Sequence, residues 1–98
     1  MTMECRIKCE VRPGIFSDEV VARIKALGSD MKVGRITVFV SKDVVSLQRH
    51  NRARGTLRAY CTDIGKKFAA VVLPQTSLEN GQSVIVPSSQ VICRRARQ

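Results

Sequence analysis

Four cysteines, Cys5, Cys9, Cys61 and Cys93, are the obvious candidates for chemistry in this 98-residue chain. A thiolate can ligate a soft metal or act as a nucleophile, and two thiols can form a disulfide. Cys5 and Cys9 lie in ECRIKCEVR, which alternates apolar and charged residues and so reads as a strand. Four residues of strand put their Cα atoms roughly 13 Å apart at about 3.3 Å per residue. That separation is too long for two ligands of one tetrahedral zinc or for a disulfide. No Cys-x-x-Cys pair occurs. Cys5, Cys9 and Cys61 share the inward parity of their strands, and free cysteine is a residue type that packs in cores. They are expected to be reduced core residues, with no metal site.

The other catalytic side chains are sparse. His50 is the single histidine and sits in the basic stretch QRHNRARG, with no residue evident to orient it against a thiol. Asp18 and Glu19 are adjacent rather than paired across a site, and no Gly-rich phosphate loop is present. These absences lead to the expectation of a protein that is not an enzyme and carries no cofactor.

Arginine is what remains. The chain has 17 Lys and Arg against 8 Asp and Glu, a net charge of +9, and the excess is uneven. Residues 1–47 hold eight basic and six acidic side chains, while residues 48–98 hold nine and two. Arg49, Arg52, Arg54 and Arg58 form one cluster, Lys66 and Lys67 a second, and Arg94, Arg95 and Arg97 a third. The planar guanidinium makes bidentate bonds to phosphate. Tyr60, on the same face of its strand as Arg58, offers a base something to stack on. With one Tyr, three Phe and no Trp, few stacking platforms exist. The expected ligand is therefore RNA or DNA, gripped by its backbone with weak regard for sequence. An acidic protein partner is a further candidate for the same clusters. The rival expectation is a protein-interaction or assembly subunit, a homodimer for instance, whose charge serves solubility. It rests on an outward Phe39 and on the two-sided apolar run Phe68–Leu73.

The elements that must position these residues are short strands. Ninety-eight residues make one compact domain. GRITVFVSKDVVSL, from Gly34 to Leu47, reads as a strand, a tight break and a second strand, and GQSVIVPSSQVICR echoes it 47 positions later. The echo matches Gly34 with Gly81, Ser41 with Ser88 and Val44 with Val91. It points to an internal duplication, 4–47 and 55–94, joined by a basic linker at 48–54. A strand, one turn and a short closing strand also end many SH3-like barrels, a resemblance of fold only.

Segment 17–27 reads two ways. Ser17 as N-cap, Asp18 and Glu19 in the first turn and Gly28 as a stop describe a helix on an antiparallel sheet, an α+β fold. The alternation of Val20, Ala22, Ile24 and Ala26 describes a strand, and the duplication favours it. Asp63–Lys66 reads as a hairpin turn with Gly65 left-handed, and Asn80-Gly81 as a two-residue hairpin. About eight strands follow, a mainly β barrel-like or sandwich domain. Its core is expected to hold Cys5, Ile7, Cys9, Val11, Val38, Val40, Leu57, Cys61, Val84 and Val86. No apolar run is long enough for a spanning helix, and the first ten residues lack the apolar stretch of a signal peptide. A cytoplasmic location is the expectation.

Overall fold

The computed structural model of the chain describes residues 2–93. Alternating apolar residues build eight antiparallel strands: β1 (Met3–Pro13), β2 (Glu19–Leu27), β3 (Val33–Ser41), β4 (Val45–Leu47), β5 (Arg54–Ile64), β6 (Phe68–Ser77), β7 (Gly81–Pro87) and β8 (Val91–Cys93). Single 3-10 turns, Lys42–Val44 and Ser88–Gln90, bend β3 into β4 and β7 into β8. The sheet runs β3-β2-β1-β5-β6-β7, with β4 added to β5 and β8 added to β1, and is nearly closed into a barrel.

Segment 17–27 is strand, not helix. Val20, Ala22, Ile24 and Ala26 are buried, and the ladder sets Val20 against Val40 and Ile24 against Ile36. Period-two burial on a barrel wall overrides the capping signal, and Ser17 and Asp18 lie in the turn that precedes β2. All ten residues expected in the core are buried. Ala59, Ala69, Val71 and Leu73 complete it from the second half of the chain. The run Phe68–Leu73 is not covered on both sides: Ala69, Val71 and Leu73 face inward, Phe68 is exposed and Ala70 and Val72 are half-buried. A barrel has one interior, so its outer face stays partly wet.

Both halves pass through the same order, three strands, a 3-10 turn and a short strand. In this order β4 and β8 begin 46 residues apart, at Val45 and Val91. The pairs Val38–Val84 and Val40–Val86 are all buried at that spacing. The spacing of 47 suggested by the sequence echo would instead match buried Val38 with outward Ile85. One residue of slip on a strand reverses every side chain.

Two turns differ from expectation. Gly65 does not have positive φ, and the β5–β6 turn is closed by its N–H donating to the Phe68 carbonyl at 2.8 Å. The β6–β7 connection pairs Ser77 with Gly81 around three residues rather than two. Gly81 at φ +76 supplies the left-handed position such a loop needs. That hairpin also reaches across the barrel. The Leu78 N–H donates to the Thr37 carbonyl at 2.9 Å, and the Glu79 carboxylate accepts from the Thr37 N–H at 2.7 Å and from its hydroxyl at 3.1 Å. The open edge of β3 is thereby blunted by a carboxylate from the other half.

Candidate nucleic-acid interface

The long strand β1 has two neighbours on one side. β8 pairs with it at Cys5–Ile7 and β2 pairs with it from Glu10 to Pro13, so Lys8 and Cys9 fall between the two ladders. The sheet forks there, and the fork opens a cavity of about 210 Å³ on the outer surface. Its walls carry Lys8, Arg23, Lys25, Arg35 and Arg54, with Glu10 as the one carboxylate. Outward parity on four strands brings them together. Lys8 and Glu10 are outward on β1, Arg23 and Lys25 on β2 and Arg35 on β3, while Arg54 stands opposite Glu10 at the start of β5. Glu10 is already committed, accepting from Arg35 Nη1 at 3.3 Å. The Arg23 Nε is buried with no acceptor. A dry guanidinium N–H left unmatched costs roughly 1–3 kcal/mol.

The basic face extends past the fork. Arg6 stands directly opposite Arg58 across the β1–β5 ladder. Like charges in that position repel. Arg6 turns one nitrogen to the Ser46 hydroxyl at 3.0 Å, and no carboxylate among the described residues forms an ion pair with either arginine.

The residues anticipated from the sequence are distributed as follows. Arg54 lines the fork and Arg58 adjoins it. Tyr60 is half-exposed on the same face of β5, opposite Glu4 and Val72. Arg49 and Arg52 lie exposed in the loop between β4 and β5, and Arg52 borders a different depression beside Ile15 and Phe16. Lys66 and Lys67 are exposed in the β5–β6 turn. The eleven-residue strand β5 runs from Arg54 to that turn, roughly 30–35 Å at about 3.3 Å per residue, so the two groups do not converge. Arg94, Arg95 and Arg97 lie outside the described residues. Arg6, Lys8, Arg23, Lys25 and Arg35 were not singled out, because the first half's six acids masked their excess in the charge count. Their signal was the alternation itself: each sits one residue from a buried neighbour.

β5 forks in the same way, between β4 at Gly55–Leu57 and β6 from Tyr60 onward, leaving Arg58 and Ala59 in the gap. Beside this second fork stand Tyr60 and Val72 instead of a ring of cations. Two forks of like construction thus carry different surfaces.

The thiols are core residues. Cys5, Cys9 and Cys61 are buried, Cys93 is half-buried, and all four are free. Cys5 faces Cys93 across the β1–β8 ladder. Burial above all, then the neighbouring Cys93 and Cys61, pushes the Cys5 thiol up to about 12. Burial alone pushes Cys9 up to about 11. Among the described residues no three His, Cys, Asp or Glu side chains are grouped to hold a metal ion. His50 is exposed in the β4–β5 loop. No described helix is long and apolar enough to cross a membrane. No family model, curated protein or solved structure matches this chain.

Proposed function

We propose that the protein is a non-enzymatic β module that binds single-stranded nucleic acid by its phosphate backbone, with the β1 fork as the centre of the contact. The observation carrying this reading is the convergence of Lys8, Arg23, Lys25, Arg35 and Arg54 on one cavity whose sole carboxylate is already paired. Arg6 and Arg58 continue the surface toward Tyr60, where an exposed ring can stack on a base. The strand spacing of about 4.8 Å sets successive cations across the sheet at distances a flexible phosphate chain can follow. Arg49 and Arg52 then add long-range attraction from their loop.

Fluorescence anisotropy with a labelled single-stranded oligonucleotide tests this. Five neutralised phosphates give a log–log salt slope near −3.5, a loss of about a hundredfold between 50 and 200 mM salt. The double variant Lys8→Gln/Lys25→Gln should weaken binding and flatten the slope more than Arg49→Gln/Arg52→Gln. Equal effects of the two would remove the fork from the site. A second reading, self-association, draws on the exposed Tyr60, Phe68 and Ile85 of the outer β5–β6–β7 face rather than on Phe39, which is half-buried. In that case sedimentation shows dimers and the titration shows no binding.

A further inference from the structure

We infer that the β1 fork is a site for a terminal phosphate, a phosphomonoester or diphosphate group, rather than only a stretch of basic surface. The inference rests on the polyanion reading and narrows it to a ligand class. Its first ground is shape. The fork is a recess of about 210 Å³ let into the sheet where β1 exchanges β8 for β2. A phosphate at a chain end, with one ester bond, can enter a recess. An internal phosphodiester must leave by two bonds and suits an open face.

Charge is the second ground. Five cations face one carboxylate that Arg35 already holds, so four positive charges stand without a carboxylate partner. A phosphomonoester carries about −1.5 to −2 at neutral pH, its second ionisation lying near pH 6, whereas a diester carries a single charge. The third ground is Arg23. Its Nε–H is buried without an acceptor, and together with a terminal nitrogen it forms the edge of a guanidinium that grips two phosphate oxygens at once. Finally, no aromatic residue lines the recess, so nothing in it stacks on a base. The site recognises the phosphate and leaves the rest of the ligand to Arg6, Arg58 and Tyr60.

The test compares three probes: one labelled 12-nucleotide strand bearing a 5′-phosphate, the same strand with a 5′-hydroxyl, and inorganic pyrophosphate as competitor. The phosphorylated strand should bind roughly tenfold more tightly, the worth of one charge-assisted contact. Pyrophosphate should displace it, and Arg23→Gln should bring the two strands to equal affinity. Arg23→Lys, which keeps the charge but not the two-pronged edge, should lose most of the preference while circular dichroism shows an intact sheet. Equal affinity of both strands for the wild-type protein overturns the terminal-phosphate site and leaves the backbone reading standing. Pyrophosphate binding, seen by calorimetry, with no binding of either strand keeps the site and overturns the nucleic-acid reading. Binding of none of the three overturns both.

Discussion

Burial decides what the individual cysteines do. A thiol in a dry core resists ionisation because the thiolate loses its water, so Cys5 rises from 9.0 to about 12 and Cys9 from 9.0 to about 11. Proton linkage then fixes the sign. The unfolded thiols ionise near pH 9 while the folded ones stay protonated, so their stabilisation is complete below pH 9 and is lost as pH rises toward 11–12. Urea denaturation across pH 8–11 should show stability falling above pH 9 by about 1.4 kcal/mol per pH unit for each such thiol. In Cys9→Ala the fall should be shallower; an identical slope would mean that Cys9 titrates as freely as in the unfolded chain. The residue scale was largely legible in the sequence. Parity placed Cys5, Cys9 and Cys61 inside without any knowledge of the fold. The meeting of Cys5 with Cys93 depends on which strand lies beside β1, and no local pattern encodes that.

At the scale of elements, the partner exchange along β1 and β5 is what makes the forks, and it demands close backbone contact. Gly55 is the sharpest case. It pairs with Cys9 of β1 on one side and Leu47 of β4 on the other, and a Cβ there would run into the Ser46 carbonyl oxygen. This glycine serves strand crossing, not the turn that its place after QRHNRAR suggests. Gly55→Ala should therefore lower stability by about 1–3 kcal/mol, the range for overpacking, with β4 losing amide protection first. Unchanged stability in thermal denaturation would show that β4 can retreat freely. Strands β1, β3 and β7 were readable from alternation, whereas 17–27 carried two periodicities and the duplication favoured strand, which the ladder with β3 bears out. The three-residue loop at Leu78–Asn80 was missed because an Asn-Gly pair signals a turn without fixing its length.

Across the whole molecule, the charge of the chain and the charge of the surface tell different stories. By sequence, residues 48–98 hold nearly all the excess, yet the cavity draws four of its five cations from residues 8–35. The first half's acids Asp18, Asp30 and Asp43 are exposed outside the β-strands, and Glu19 is half-buried at the start of β2. Its strands are left to present Lys8, Arg23, Lys25 and Arg35 on one outer face. Folding sorts the charges by parity, and a count along the chain averages them away. The sequence pointed to basic clusters after residue 48, whereas the proposed centre of binding lies mostly on the strands of the first half. Only Arg54 and Arg58 of the anticipated clusters adjoin the fork among the described residues. The most direct check on that centre is amide chemical-shift mapping by NMR as a 5′-phosphorylated single strand is added at low salt. The expected shifts cluster at Lys8, Arg23, Lys25, Arg35 and Arg54, on four strands that are distant in sequence and adjacent in the barrel. Shifts confined to 48–53 and to Lys66 and Lys67, with the fork silent, would contradict the account.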